Sequence, residues 1–546
     1  MISFRRSIQI ASLLLFCLLL GLAVYSWSST AGLDLFLRLD PLLVAGTALS
    51  ARVAFVSFIP VIFVILVTLA AGRIFCGYIC PMGTTLDGAD AAAGHRKNHT
   101  PPPASLKRIK YLVLAGIVSA GILGVSFVFM ASPLSLITRF YGLVVNPALS
   151  LIMDRSLEVI RPLADHLDLR TLTYAQIRSI RFATQFFILG FFAVLGLMAL
   201  WSPRFWCRYL CPSGALLALC SIKPWIRRRV SDDCTQCGAC VKSCPMNAIP
   251  KDHPGETRHQ ECIVCLTCQR VCPVDAIRFS TQPHAAGRTP NRFSPTRRQL
   301  IFSGIGGAAT AMVGLSGLSS PMAKSAEGVV APAGLIRPPG ALPEKAFLSR
   351  CVRCGECMAA CPTNTLQPIW FDEGFMGIFS PAVTPRRGYC DPRCHRCADV
   401  CPTRAINRIS GTERIWAKTG TAVIHRQKCL AWEHQKPCMV CDEVCPYDAI
   451  QFKKEKGNPV AVPHVIENKC GGCGYCEYYC PVQNQAAVVV TAMGAIRPDR
   501  GRYEETGRSR GLTLTLKPKS RAPSGHAPSP GTIPEGFAPG FDELSK

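Results

Sequence analysis

Cys234-Thr235-Gln236-Cys237-Gly238-Ala239-Cys240-Val241-Lys242-Ser243-Cys244-Pro245 decides what kind of molecule this is, and the same spacing returns at Cys262, Cys265, Cys268 and Cys272-Pro273. Three thiolates three residues apart suit three irons of one cubane, and the fourth, turned away by its proline, reaches a second cubane. That exchange predicts Cys272 completing a first [4Fe-4S] cluster and Cys244 a second. Ala248-Ile249 and Ala276-Ile277 follow the two Cys-Pro pairs, where apolar side chains pack over a cubane and keep water off it.

Four more blocks lie downstream: Cys351, Cys354, Cys357, Cys361; Cys390, Cys394, Cys397, Cys401; Cys429, Cys438, Cys441, Cys445; and Cys470, Cys473, Cys476, Cys480. Each ends in Cys-Pro, so 24 of the 30 cysteines fall in six such blocks and predict six [4Fe-4S] clusters. The second outer block opens by one residue and the third carries an insertion between Cys429 and Cys438. The spacing leaves open whether the outer blocks pair in sequence or first with fourth and second with third. Zinc also takes paired Cys-x2-Cys, but zinc ribbons rarely carry three thiolates plus Cys-Pro, let alone six times. Cys390-x3-Cys394-His395 is one residue too long for haem attachment.

The remaining composition points to a membrane. Of 546 residues 49% are hydrophobic and only 17% charged, which excludes a disordered, collagenous or small disulfide-scaffold protein. Lys and Arg number 60 against 35 acids, a net charge of +25. Six clusters at roughly −2 each would lower that to about +13, and much of the excess borders apolar segments, so nucleic acid is discounted as a partner.

Roughly residues 8–27, 53–71, 111–130 and 182–201 have the length and apolarity of spans. Arg5, Arg6, Arg73, Arg96, Lys97, Lys107, Arg108 and Lys110 flank them so that both ends of a four-helix unit face the cytoplasm, with the 131–181 loop outside. No histidine lies inside a span, so no bis-histidine haem fits there. The expected domains are a four-helix membrane unit over 1–229, a cytoplasmic two-cluster domain over 230–282, a linker over 283–344, a periplasmic four-cluster domain over 345–495 and a disordered tail over 496–546. Within the linker, Thr296-Arg297-Arg298-Gln299-Leu300-Ile301 opens an apolar stretch that reads equally as a twin-arginine export signal or a fifth transmembrane helix.

At the cytoplasmic ends of the second and fourth spans the chain repeats Arg-x-aromatic-Cys-x-Tyr-aliphatic-Cys-Pro-x-Gly, as Arg73 to Gly83 and Arg204 to Gly214. Cys76 and Cys80, like Cys207 and Cys211, are four apart and so expected on one helical face. If the halves pack about a pseudo-twofold axis, four sulfurs converge, as a further metal centre, a dithiol relay or inert packing.

These motifs resemble a known family. The 2-2-3 repeat over 230–282 resembles a bacterial two-cluster ferredoxin, and the CxxxCP helical unit that precedes it resembles NapH, the membrane subunit of the quinol dehydrogenase serving periplasmic nitrate reductase. The twin-arginine-like stretch with four cluster blocks resembles NapG and MauM. The whole looks like a NapH/NapG-type (MauN/MauM-like) pair fused in one chain. The resemblance implies an α-helical membrane unit with paired CxxxCP motifs joined to α+β ferredoxin-type domains, in the bacterial cytoplasmic membrane. It implies oxidation of quinol from the membrane pool and delivery of electrons through [4Fe-4S] clusters to a periplasmic cytochrome c or terminal reductase. Cys76, Cys80, Cys207 and Cys211 are then where electrons come in. Arg73, Tyr78, Arg204 and Tyr209 are candidate quinol contacts, with interfacial anchoring as their plainer role. The runner-up is a maturation factor of NosR or CcoG type, but only seven residues precede the first span, too few for the NosR flavin domain.

Overall fold

The computed structural model describes residues 4–25, 34–53, 59–92, 104–169, 180–281, 296–315, 335–371, 375–499 and 501–517. Arg96, Lys97, most of the linker and the chain beyond residue 517 lie outside them.

The helical unit is built from α1 (Phe4–Tyr25), α2 (Pro41–Ala51), α3 (Ile59–Ala71), α4 (Pro81–Ala92), α5 (Ile109–Ile122), α6 (Pro133–Phe140), α7 (Asn146–His166), α8 (Gln185–Trp201) and α9 (Pro212–Cys220). Two described stretches are long and apolar enough to cross a membrane, Phe4–Val24 and Pro133–Pro162; Pro41–Ala51, Ile59–Ala71 and Gln185–Trp201 are apolar but shorter. The expectation of four simple spans needs correcting at two places. The third ends at Ile122, because Gly124 takes φ 86 and turns the chain into a separate short helix, Val128–Ala131. The 131–181 segment, expected as an outer loop, is helical from Pro133: Ser132 caps α6 by accepting from Ser135 N, and Pro133 stands at its first turn.

A further helix, α10 (Arg297–Leu315), packs along α5 by close backbone approach. Ser119 Oγ donates to Gly304 O at 2.8 Å and Ser303 Oγ to Leu112 O. A Cβ on Gly307 would sit 2.3 Å from Gly116 O, so only glycine allows this crossing. Gly307→Leu should therefore weaken the crossing by about 1–3 kcal/mol. Measured as disulfide cross-linking between Ser119→Cys and Gly304→Cys, coupling should fall in the Gly307→Leu background; unchanged coupling would refute the crossing.

The first cluster domain is closed by β1 (Arg227–Val230) pairing antiparallel with β2 (Ile277–Ser280). The second contains three such ribbons: β3 (Leu366–Pro368) with β4 (Pro381–Val383), β5 (Thr421–Ile424) with β8 (Val488–Thr491), and β6 (Ile450–Lys454) with β7 (Ala461–Val465). It runs further than expected. The helix Tyr503–Ser509 follows residue 496, Tyr503 and Leu514 are buried, and Thr513 N donates to Asn468 O. A few apolar anchors in a polar stretch suffice to order it.

The two cluster domains take opposite ends of α5. At its start, Lys110 pairs with Glu261, Lys107 donates to Asn247 O, and Ile226 N donates to Ala70 O at the end of α3. At its finish, Gly121 and Gly124 lie against Leu49 and Ser50, and Ser50 Oγ donates to Ser349 O of the second domain. Ser135 Oγ, Arg139 Nε and the Arg181 carbonyl make further bonds there, to Val352 O, Arg353 O and Asn364 Nδ2.

Candidate functional site

Four cavities each bring three cysteines of one block together with the last cysteine of its neighbour. Cys351, Cys354 and Cys357 line the first with Cys401. Cys429, Cys438 and Cys441 line the second with Cys480. Cys470, Cys473 and Cys476 line the third with Cys445. Cys262, Cys265 and Cys268 line the fourth with Cys244, as the spacing predicted. In the outer domain the complementary set follows the same exchange, with Cys390, Cys394 and Cys397 lying near Cys361; in the first domain Cys240 lies near Cys234 and packs in one cluster with Cys244, Cys268 and Cys272. The outer blocks therefore pair in sequence, first with second and third with fourth.

Local backbone chemistry sets these loops. Gly355 and Gly474, at φ 88 and 82, precede the short helices that carry Cys357 and Cys476. A Cβ on Gly474 would also lie 2.7 Å from Pro385 Cβ. Backbone N–H groups then point at sulfur, from Ala248 to Cys244 at 3.3 Å, Ala449 to Cys445 at 3.4 Å and Ala487 to Cys480 at 3.4 Å. Arg414 Nη2 donates to Cys390 Sγ at 3.2 Å and Arg228 Nη2 to Cys240 Sγ at 3.5 Å. Such donors favour thiolates and tune a bound cluster.

Each cavity is walled almost wholly by apolar side chains around its four cysteines, an environment that suits a cubane.

The paired motifs form a second kind of site. Each adopts a π-helical turn, Phe75–Ile79 and Trp206–Leu210, closed by matching bonds from Cys80 N to Phe75 O at 3.0 Å and from Cys211 N to Trp206 O at 2.9 Å. Pro81 and Pro212 force the preceding Cys80 and Cys211 into extended conformations, ψ 116 and 109, from which α4 and α9 begin.

Arg73 and Arg204 are fully buried and reach across the repeat. Arg204 donates to Cys76 O at 3.1 Å and to both oxygens of Asp87, at 2.5 and 2.7 Å. Arg73 donates to Gln260 O at 3.3 Å and lies 3.5 Å from Glu261. Of the two tyrosines, Tyr78 donates to Val264 O at 2.9 Å, while the buried Tyr209 hydroxyl has no hydrogen-bond partner among the described residues. The loop between Cys262 and Cys265 thus rests directly on the first π-turn; a Cβ on Gly77 would lie 2.5 Å from Ile263 O.

Several charged residues that sequence reasoning passed over belong here, and their signal was a carboxylate set among apolar residues. Asp40 is wholly buried and accepts from Ser132 Oγ at 2.5 Å, Ser213 Oγ at 2.8 Å and Leu42 N at 3.0 Å, joining the N-termini of α2, α6 and α9. Asp87 binds Arg204, Arg5 and Gln9, whereas burial pushes the nearby Asp90 carboxyl up to about 6. Burial would raise Glu261 too, but Lys110, Arg73 and Lys107 hold its carboxyl below the usual range. Burial pushes Lys107 down to about 8.

A 4Fe-4S binding domain model matches residues 53–98 and 183–231, the two segments that carry the CxxxCP motifs. Models of 4Fe-4S dicluster domains match residues 226–284 and 436–484, and a 4Fe-4S binding domain matches residues 347–367. The chain is 38% identical over 208 residues to the methylamine utilization ferredoxin-type protein MauM of Methylorubrum extorquens, covering 36% of this chain and 89% of that protein. MauM of Paracoccus denitrificans is 36% identical over 227 residues, 39% of this chain and 96% of its own length. The ferredoxin-type protein NapG of Escherichia coli is 34% identical over 183 residues, 32% of this chain and 77% of its own. With cysteine sets shaped for clusters and relatives matched over most of their lengths, the chain is an iron–sulfur electron-transfer protein that belongs to the MauM/NapG ferredoxin-type family.

Proposed function

We propose that the chain is a multi-pass protein of the bacterial cytoplasmic membrane that oxidises quinol and passes the electrons to a periplasmic acceptor, a c-type cytochrome or terminal reductase. The observation that carries this reading is the placement of two cluster domains at opposite ends of one helical bundle with four cysteines between them. The outer faces of the bundle support a lipid setting, since Leu14, Phe63, Leu66, Phe186 and Leu197 are exposed in a chain whose polar groups gather at the helix ends. In this reading α10 is a retained crossing, parallel to α5, that carries the chain from the cytoplasmic two-cluster domain to the periplasmic four-cluster domain.

The six cysteine sets would hold six [4Fe-4S] clusters, each able to accept and release one electron when bound. The chain's own part is to supply four thiolates per site, to point N–H groups and guanidiniums at the sulfurs and to exclude water with apolar walls. Quinol would meet the bundle near the repeated motif. There Tyr209 keeps an unpartnered hydroxyl for it, and Arg73, Arg204 and Tyr78 fix the π-turns around it.

Purified anaerobically and held in nanodiscs, the full chain should carry about 24 irons in cubanes, and menadiol should bleach their absorbance. Iron near eight with abundant zinc, or bleaching by dithionite alone, would overturn the reading. A periplasm-dependent reporter should be dark when fused after Thr289 and bright after Glu344; equal signals would place both domains on one side.

A further inference from the structure

We infer that Arg353, backed by Arg139, makes the cavity of Cys351, Cys354, Cys357 and Cys401 the site in this chain that takes up an electron first. The inference rests on the six-cluster reading above and adds to it an order among the clusters.

Arg353 stands in the loop between Cys351 and Cys354 with φ 52, in the left-handed region that suits glycine. The matching place, one residue before the second cysteine, is also left-handed in three other blocks, where Gln236, Val264 and Gly472 hold it. None of those residues is charged. A strained position given to an arginine points to a use for its guanidinium. Arg353 lines the cavity itself and is only 1% exposed.

Its surroundings leave the charge uncompensated. Nη2 donates to Met376 O, the guanidinium lies 3.6 Å over the Phe129 ring, and Nε and Nη1 have no hydrogen-bond partner among the described residues. Arg139, buried on α6, donates to Arg353 O at 3.0 Å and to Phe129 O at 3.1 Å. Both arginines are thus held by carbonyls and rings. Glu344 is already paired with Arg337 and Arg497, and Glu356, between Cys354 and Cys357, is buried deeply enough to favour its uncharged form. What is left to meet the positive charge is the sulfur set, with Cys351 within electrostatic reach of both arginines and Cys354 of Arg139.

An electron added to a cubane there makes the cluster more negative, with no bond made or broken. Burial alone opposes that step, whereas positive charge fixed in the same low-dielectric pocket favours it more than it would in water. The other cavities differ. Arg414 gives Cys390 a single guanidinium at 3.2 Å. In the two-cluster domain Arg228 lines the cavity of Cys244, Cys262, Cys265 and Cys268 and also donates to Cys240 Sγ, one guanidinium between two sets. Among the described residues no charged side chain lines the remaining two cavities. The first outer site is also the one that faces the bundle, so the charge stands where electrons enter the outer domain. Their donor is the quinol of the reading above, which is oxidised to quinone and releases its protons while the electrons arrive one at a time.

The test is an anaerobic redox titration of the full chain in nanodiscs, followed by electron paramagnetic resonance. The first signal to appear in the wild type as the potential falls should be missing from Cys401→Ala. In Arg353→Met that signal alone should shift to lower potential at unchanged iron content, and Arg353→Lys, which keeps the charge, should restore its place as the first. A first signal that survives in Cys401→Ala, or one that stays at the wild-type potential in Arg353→Met, overturns the inference. If Arg353→Met loses the cluster outright, the comparison of wild type with Cys401→Ala still decides. Wild-type iron of about 24 with another order of reduction fails this inference only, whereas about eight irons fails the six-cluster reading as well.

Discussion

Replacing Cys76, Cys80, Cys207 and Cys211 together by alanine should slow menadiol-driven bleaching of the remaining clusters by on the order of a hundredfold or more. Dithionite should still bleach them. None of the 24 cysteines in the six blocks is touched, so those sites keep their ligands. What is removed is the sulfur set between the Ile263 loop on one side and, through Ser213, Asp40 and Ser132, the second domain on the other. The bilayer core is about 30 Å thick, and no histidine ligand for haem lies in the spans to bridge it another way. Undiminished menadiol reduction in a correctly inserted variant would make the motif a packing device.

Cys401→Ala should have an effect as large, and in an unexpected place. In sequence Cys401 closes the second outer block, yet its sulfur lines the cavity of the first, beside Cys351, Cys354 and Cys357. That cavity is the one seated on the helical bundle, where Leu143 meets Gly355 and Ser135 bonds Val352 O. The variant should lose the cluster held there while Cys361, Cys390, Cys394 and Cys397 keep theirs. Menadiol should then bleach only the two-cluster domain, with the remaining outer clusters answering to dithionite alone. If menadiol still bleached all of them at the original rate, electrons would reach the outer domain by some other contact.

The cluster blocks were legible because their chemistry is local: in the plainest of them four cysteines and a proline within twelve residues state both ligand set and exchange. The pairing of the outer blocks was not, since it depends on long-range contacts such as the β5–β8 ribbon, which brackets the third and fourth blocks. The CxxxCP repeat announced its symmetry in sequence, but not the π-turns it adopts or the extended ψ that each proline imposes on the cysteine before it. Arg73 and Arg204 stood out as repeated residues. That they cross over to the opposite copy follows only from the packing of α4 against α8 and of α9 against α5. The 131–181 segment was misread because arginines balanced by acids look like a surface loop, whereas Arg139 is buried over the Phe379 ring at 4.6 Å.

The exchanged cysteines also impose an order on biogenesis. As the chain leaves the ribosome, the first three thiols of the first outer block must wait for Cys401, while Cys361 is already claimed by the block that follows. A nascent chain arrested at residue 400 would own one complete four-thiol set and one still short of a ligand, so neither block of a pair matures as an independent module. The same holds for Cys445 and Cys480. Metal loading in the outer domain is therefore a matter of pairs, and the shortest segment that can leave the assembly machinery fully charged is two blocks long.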